Sequence, residues 1–149
     1  MAGADYAPRR AALDRLIGRL APVGDGPLAA TLHGCAMRLG GGRLRIAREW
    51  RAVRGSVAPV GTLWDGRWRL IPPEGAVTSG LHVAALGPEG LAVCPDWRST
   101  GLPRASLLAA PAVWDGPWLV AAPSAGHGEG WRAETVPPAA DFPTVMLPD

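Results

Sequence analysis

The side chains in this sequence that could ligate a soft metal are three histidines and two cysteines. They are His33, Cys35, His82, Cys94 and His127. Structural zinc sites draw on such residues in closely spaced pairs. No paired spacing of that kind is present, and two cysteines do not make a disulfide framework. We therefore expect structural or solvent-exposed roles for all five residues, and no metal site.

Covalent and acid–base catalysis also lack a recognisable pattern. Ser106 and His127 have the chemistry of a nucleophile and a base, but no Gly-x-Ser-x-Gly segment is present to expose a serine on a sharp turn. The acidic residues of the C-terminal half are scattered, and no two of them have a spacing that suits acid–base work. We predict no catalytic residue in this chain.

A nucleotide-binding loop that ends in Gly-Lys is excluded, because the chain has no lysine. The glycine run at residues 40–42 lies between two segments in which apolar and polar residues alternate. Glycine tolerates the positive φ angles of tight turns. The run therefore predicts a hairpin turn between two strands, and not a phosphate cradle.

Positive charge is concentrated in the middle of the chain. All 15 basic residues are Arg, and residues 38–69 hold eight of them against two acids, a net charge of +6. Residues 70–149 have a net charge of −5. A basic block of this kind fits a polyanionic partner. Charge alone leaves open the alternative of a solvated surface of mixed charge.

Two predicted elements position the basic block. Residues 8–20 predict a helix, because their apolar residues follow the i, i+3, i+4, i+7 pattern. Residues 31–49 predict a β-hairpin with period-2 alternation, which gives one buried and one exposed face. The exposed face gathers Arg38, Arg43 and Arg45.

Two similar segments, Leu63–Trp68 and Val113–Trp118, each contain Trp-Asp-Gly. Asp-Gly between apolar residues is a strong turn signal, so each segment predicts a turn with tryptophans packed beside it. A tryptophan-lined ligand site is the alternative. The remaining predicted elements are strands at residues 80–87, 90–95 and 118–123, a short helix at residues 103–110 and a flexible loop at residues 124–130.

These elements predict an α+β fold, with small antiparallel hairpins packed against the N-terminal amphipathic helix and one further short helix. We predict one domain over residues 1–125 and a flexible Gly/Pro-rich tail over residues 126–149. No apolar run approaches the ~20 residues that span a bilayer, and Asp14 and Arg15 interrupt any signal-like core. The cytoplasm is the expected location, with no membrane partner.

An ordered set of segments gives the chain a family likeness. The set consists of an amphipathic helix, Thr31–Cys35, an Arg-rich hairpin, Arg48–Trp50, Leu63–Trp68, Pro103–Gly116 and Trp118–Pro123. Over roughly residues 8–125 it resembles the C-terminal region of tRNA(Ile)-lysidine synthetase, most of all the alphaproteobacterial type. Leu107 departs from the pattern, since a basic residue is expected there.

The resemblance implies an enzyme that converts the wobble cytidine of an isoleucine tRNA to lysidine, using ATP and lysine. That chemistry belongs to an N-terminal catalytic domain with a Ser-Gly-Gly-x-Asp-Ser signature, which this chain lacks. No catalytic residue or cofactor is therefore carried over, and the chain alone is expected to be inactive. The expected partners are tRNA and that catalytic domain, which we expect to be encoded upstream of Met1 or as a separate chain.

In this interpretation the chain binds tRNA mainly by neutralising phosphates. The candidate RNA-binding residues are Arg38, Arg43, Arg45, Arg48, Arg51, Arg54, Arg67 and Arg69. Trp50 or Trp68 could stack on an unpaired base, although core packing is the simpler role for both. The alternative function is a small Trp-rich protein-interaction module with no RNA role.

Overall fold

The computed structural model describes residue 18 and residues 28–32, 34–40 and 43–136. These residues form small antiparallel sheets with short helices, a mixed α/β arrangement. The predicted helix at residues 8–20 lies outside the described residues except for Gly18, so its packing against the strands stays a prediction. No helix in the described part of the chain is long and apolar enough to cross a membrane.

The described residues form nine strands, three α-helices and two 3₁₀ turns. The strands are β1 (Leu28–Leu32), β2 (Cys35–Gly40), β3 (Arg43–Arg48), β4 (Val57–Pro59), β5 (Trp68–Ile71), β6 (Leu81–Ala85), β7 (Pro111–Asp115), β8 (Trp118–Ala121) and β9 (Arg132–Thr135). The helices are α1 (Trp50–Val53), α2 (Gly87–Ala92) and α3 (Arg104–Leu108), and the 3₁₀ turns are Trp97–Thr100 and Pro123–Ala125.

The first sheet has the order β1-β2-β3, and it confirms the predicted hairpin between β2 and β3. Gly40 pairs with Arg43, so the chain reverses at the predicted glycine run. The prediction of two strands over residues 31–49 is incomplete, because Thr31 belongs to a third strand, β1, which pairs with β2. Gly34 has a φ of +69°, which permits this additional reversal without steric cost.

The second sheet has the order β4-β6-β7-β8 and carries most of the core. Strands β6 and β8 confirm two of the predicted strands. Strand β7 lies between them, and its residues Pro111, Ala112 and Val113 are all buried. A central strand covered on both faces shows no alternation, and Pro111 is tolerated because it is the first residue of the strand.

The predicted strand at residues 90–95 is wrong. Gly90 and Leu91 belong to helix α2, and the thiol of Cys94 donates to the carbonyl of Gly90 four residues earlier, at 3.3 Å. Burial at positions 90, 91 and 94 has helical spacing, and Leu91 and Cys94 belong to a buried cluster with Leu107. A run of six apolar residues does not distinguish a strand from a buried helix. Pro88, in the first turn, favours the helix.

The third sheet pairs β5 with β9, from Trp68 opposite Thr135 to Ile71 opposite Arg132. Strand β9 lies inside the segment predicted as a flexible tail, so the tail's first residues take part in the fold. Beyond β9, the backbone N–H of Val136 donates to the carbonyl of Arg67 at 2.7 Å. The end of the predicted tail, from residue 137, lies outside the described residues.

Both Trp-Asp-Gly segments form turns, as predicted. Trp64 and Trp68 exchange backbone hydrogen bonds of 2.7 and 3.0 Å across the first turn. In the second, Asp115 pairs with Trp118 at the end of the β7–β8 hairpin. The tryptophans differ in exposure: Trp64 is buried and donates its indole N–H to the carbonyl of Ser56 at 2.8 Å, whereas Trp118 is 75% exposed.

Helix α3 confirms the predicted short helix at residues 103–110. Its Leu107, which stands where the family likeness leads us to expect a basic residue, is fully buried. A fully buried charge without a partner is strongly unfavourable. This position therefore belongs to the core and does not face solvent.

Candidate nucleic-acid interface

Three arginines share one face of the first sheet. Arg38 on β2 lies directly opposite Arg45 on β3, and Arg43 is two residues from Arg45 on the same strand. Partners across a ladder, and residues i and i+2 along a strand, project from the same face. All three side chains are exposed. We call Arg38, Arg43 and Arg45 the basic face; the structure brings them together as the sequence predicts.

Arg48 projects from the opposite face of the same strand. It lies three residues after Arg45, so alternation turns it away from the basic face. Its ladder partner is Cys35, and Ile46 and Met37 share this second face. Met37 is 9% exposed, but Ile46 is 59% exposed, so the face predicted to be buried is only partly covered.

Arg48 reaches the first Trp-Asp-Gly turn and forms a two-point ion pair there. Its Nε donates to Oδ2 of Asp65 at 3.0 Å, and its Nη2 donates to Oδ1 at 2.9 Å. This fork geometry is the strong form of an Arg–carboxylate contact. The hydrogen bonds to Asp65 raise the pKa of Arg48 against an opposing effect of burial. The pair joins the first sheet to the turn that begins β5.

Asp65 occupies a constrained position. Its φ is +50°, a left-handed conformation that Asp tolerates better than most residues. Its side chain is 11% exposed. Arg67 lies on the other side of this carboxylate, with its Nε 3.6 Å from Oδ2, too long for a good hydrogen bond. Two guanidinium groups therefore surround one carboxylate.

Two hydrogen-bond donors near this cluster have no partner within the described residues. They are Nε of Arg67 and the indole Nε1 of Trp68, and both atoms are buried. The guanidinium of Arg67 lies 5.9 Å from the centre of the Trp68 ring, at the outer limit of a cation–π contact. Most buried donors in folded proteins are paired, so these two are unusual.

The other predicted RNA-binding arginines lie on other elements. Arg51 is in α1 and Arg54 follows its last residue; both are exposed. Arg69 is exposed on β5, where it lies opposite the acidic Glu134. The eight predicted residues thus divide into the basic face, the two arginines at Asp65 and these three.

A cleft of about 240 Å³ opens between β3, the Asp65 turn and α3. We call it the β3–α3 cleft. Its apolar lining includes Leu102, Leu107 and Ala110, and its polar side chains are those of Arg48, Arg67, Trp68, Ser106 and Ser124. This cleft was not predictable from the sequence, because its walls come from segments up to about 80 residues apart in the chain.

A second cleft, of about 330 Å³, lies beside the other Trp-Asp-Gly turn. Trp114, Trp118, Glu89 and His127 are among its lining residues. The indole Nε1 of Trp114 is buried and has no hydrogen-bond partner within the described residues. This cleft corresponds to the tryptophan-lined site that the sequence left open as an alternative.

The other residues that could take part in catalysis or bind a metal are dispersed. Ser106 and His127 line different clefts, so they do not form a nucleophile–base pair. Within the described residues no group of three His, Cys, Asp or Glu side chains could hold a metal ion, and His33 lies outside them. Cys94 is 2% exposed, and burial raises the pKa of its thiol above the ordinary value of 9.0.

The role of Asp65 as an ion-pair centre was not predictable. The sequence identifies it only as a turn residue, and its partner Arg48 lies 17 residues earlier in the chain. Asp115 stands in the same Trp-Asp-Gly motif but has no such partner among the described residues. Only the approach of the first sheet to the turn distinguishes them.

Comparison with known proteins gives one informative match. The chain is 43% identical over 145 residues to tRNA(Ile)-lysidine synthase of Ruegeria pomeroyi. The match covers 97% of this chain and 33% of that protein, so the chain spans about a third of the length of its relative. No protein-family model matches the chain. No solved structure matches it.

The matched portion of the relative is its C-terminal part. The match covers nearly the whole chain, so the matched region includes the segments of the hairpin, of both Trp-Asp-Gly turns and of helix α3. The resemblance seen in the sequence is therefore confirmed, and the chain matches the C-terminal part of a tRNA(Ile)-lysidine synthase.

Proposed function

We propose that this chain is the C-terminal tRNA-binding portion of a tRNA(Ile)-lysidine synthetase. In this proposal it holds an isoleucine tRNA while a catalytic domain converts the wobble cytidine to lysidine with ATP and lysine. The match to the C-terminal part of such an enzyme supports the assignment to this family. The observation that carries the binding role is the basic face, formed by Arg38, Arg43 and Arg45.

The geometry of the basic face suits a phosphate backbone. Neighbouring strands lie about 4.7–4.9 Å apart, so Arg38 and Arg45 present adjacent positive charges. No acidic residue lies on β2 or β3, so none neutralises them along these strands. Exposed arginines contact phosphates without reading bases. Such contacts suit a surface that positions the tRNA while another domain modifies the anticodon.

Arg51 and Arg54 extend the positive charge beyond the sheet, since both are exposed at α1, which follows β3 after a single residue. Arg48 and Arg67 contribute less to long-range attraction, because Asp65 neutralises part of their charge. We therefore rank the basic face first among the candidate RNA-binding residues.

The experiment is a tRNA-binding titration at several salt concentrations. The test variant is Arg38→Gln/Arg43→Gln/Arg45→Gln, and the matched control is Arg98→Gln/Arg104→Gln/Arg132→Gln. Both remove three positive charges, so net charge is the same. The test variant should bind tRNA more weakly, and the slope of log affinity against log salt should fall by roughly 0.7–0.9 for each lost phosphate contact. The control variant should retain most of the tRNA affinity and most of the salt-dependence slope.

Equal losses in the two variants would show that only net charge matters and would contradict a dedicated basic face. Absence of tRNA binding by the unmodified chain at low salt would contradict the proposed function itself.

One observation favours the alternative of a protein-interaction module. Trp118 is 75% exposed beside the cleft that also contains Trp114, and exposed tryptophans are enriched at protein interfaces. This surface lies in the acidic half of the chain. A chain that fails to bind tRNA but pairs with a protein through Trp118 would fit this alternative.

A further inference from the structure

The polar side chains of the β3–α3 cleft are all able to donate hydrogen bonds. Arg48, Arg67 and Trp68 can only donate, and the hydroxyls of Ser106 and Ser124 can donate as well as accept. None of the described residues that line the cleft carries a carboxylate. A lining of this kind is complementary to an anion rich in acceptor oxygens.

Among the ion pairs of the described residues, Arg67 has no carboxylate of its own. Arg48 and Arg67 share the single carboxylate of Asp65, and the two-point contact is made by Arg48. Arg67 is held at 3.6 Å and its side chain is 42% exposed. A ligand with one negative charge would complete the local balance.

Two donors beside the cleft also lack acceptors among the described residues. The buried Nε of Arg67 and the indole Nε1 of Trp68 make no hydrogen bond within the described residues, and both residues line the cleft. An unpaired buried donor destabilises a protein. An acceptor brought by a ligand, with a small side-chain adjustment, would remove that penalty and add to its affinity.

We propose that the β3–α3 cleft binds a phosphate group, held by Arg67, Trp68 and Ser106. Phosphate oxygens point in several directions, so one group can accept from donors on different elements, and guanidinium groups match its geometry. The cleft volume of about 240 Å³ lies below the ~300–1,000 Å³ of pockets for drug-sized ligands. It therefore suits a single charged group rather than a complete nucleotide.

RNA is the source of phosphate that the surroundings favour, and this part of the inference rests on the proposed function. A backbone phosphate carries one negative charge, which would balance the charge of Arg67. Strand β3 is an edge strand in the described sheet and contributes both to the basic face and, through Arg48, to the cleft. An RNA strand that crosses this edge can contact both.

The first experiment uses inorganic phosphate and the complete 149-residue chain labelled with ¹⁵N. The indole N–H signal of Trp68, identified by its loss in Trp68→Phe, should shift and saturate as phosphate is added. The indole N–H of Trp114 is also buried and has no partner among the described residues, and its signal should not shift. Sodium chloride at the same ionic strength is the control. No shift at Trp68, or an equal shift with chloride, would overturn the proposal.

The second experiment adds tRNA in place of phosphate and identifies the source. A shift at Trp68 that competes with inorganic phosphate would support an RNA phosphate. The Trp68 signal could shift with inorganic phosphate but stay unchanged when tRNA binds. That result would support the phosphate site and overturn RNA as the source of the phosphate. A phosphate response without any tRNA binding would contradict the proposed function while the cleft proposal stands.

The third experiment measures affinity by calorimetry in uncharged substitutions. Trp68→Phe keeps an aromatic ring and removes the N–H, so phosphate affinity should fall roughly 10- to 150-fold, the effect of losing one hydrogen bond to a charged group. Trp114→Phe is the matched control and should bind as the unmodified chain does. Ser106→Ala is a second, smaller substitution, and the variant should fold normally so that its phosphate affinity can be measured. Unchanged affinity in both cleft variants would overturn the assignment of the donors.

Discussion

Asp65 and Asp115 stand in the same short motif, yet their surroundings differ. Asp65 accepts two hydrogen bonds from Arg48 and is 11% exposed on its side chain. Asp115 is exposed and makes no ion pair or side-chain hydrogen bond within the described residues. The sequence predicts the same turn role for both, whereas the structure gives Asp65 a second role in joining two sheets.

The first prediction compares Asp65→Asn with Asp115→Asn. Asparagine tolerates the same turn conformation but loses the charge, so Asp65→Asn should lower the free energy of unfolding by about 1.5–3 kcal/mol. Asp115→Asn should change it by less than ~0.5 kcal/mol, as an exposed substitution does. Urea unfolding of both variants measures this. Equal, small effects would show that the ion pair contributes little to stability.

The second prediction concerns Cys94 at alkaline pH. Because burial raises the pKa of its thiol in the folded protein, the unfolded state loses this proton first. The stabilising effect is fully present below pH 9.0, the ordinary thiol value, and is lost as pH rises through the folded-state pKa. The free energy of unfolding should fall more steeply above pH 9.0 in the unmodified chain than in Cys94→Ala. Parallel pH profiles would contradict this.

At the scale of elements, helix α2 shows where local sequence is insufficient. Gly90 lies where helix α2 meets strand β7, and a side chain there would have no room. A Cβ atom at this position would lie 2.6 Å from Cδ1 of Leu86 and 2.9 Å from the ring of Trp114. Glycine is normally unfavourable within a helix, so close packing against the sheet accounts for its presence.

The third prediction is that Gly90→Ala destabilises the chain by about 1–3 kcal/mol, the range for overpacking a core, although alanine favours helices. Gly55→Ala is the matched control, because no atom lies within 4 Å of the added Cβ there. It should be neutral or slightly stabilising. Thermal or urea unfolding distinguishes the two. A stable Gly90→Ala variant would show that α2 moves away from β7 without cost.

The basic face was predictable because side chains alternate between the two faces of a strand. This alternation assigns Arg38, Arg43 and Arg45 to one side independently of the rest of the fold. The turns were predictable for a similar reason, since Asp-Gly acts locally. By contrast, β9 and the contact between Arg48 and Asp65 depend on segments distant in the chain. The strand predicted at residues 90–95 failed because its apolar run fits two structures, and tertiary packing decides between them.

At the scale of the whole molecule, positive charge is concentrated in one part of the chain and most strands of the second sheet lie in another. The segment with a net charge of +6, residues 38–69, includes β3 and the second half of β2. Residues 70–149, with a net charge of −5, contain three of the four strands of the second sheet, β6, β7 and β8. A protein that gathers positive charge on one surface, as the basic face does, orients an approaching polyanion toward that surface. Substitutions on the basic face should therefore alter RNA affinity while leaving the core sheet intact.

The fourth prediction tests that division in a complete enzyme. This chain replaces the matching C-terminal third of the Ruegeria pomeroyi relative, to which it is 43% identical, and lysidine formation is measured with varied tRNA and varied ATP. If the chain positions tRNA and contributes nothing to the chemistry, the triple variant Arg38→Gln/Arg43→Gln/Arg45→Gln in this chimera should raise the KM for tRNA. The values of kcat and of the KM for ATP should stay nearly constant, because the variant loses only binding energy that the ground state and the transition state share. The control triple variant at Arg98, Arg104 and Arg132 should resemble the unmodified chimera. A fall in kcat with an unchanged KM for tRNA would instead place the basic face in the catalytic step, and a rise in the KM for ATP would place it near the nucleotide.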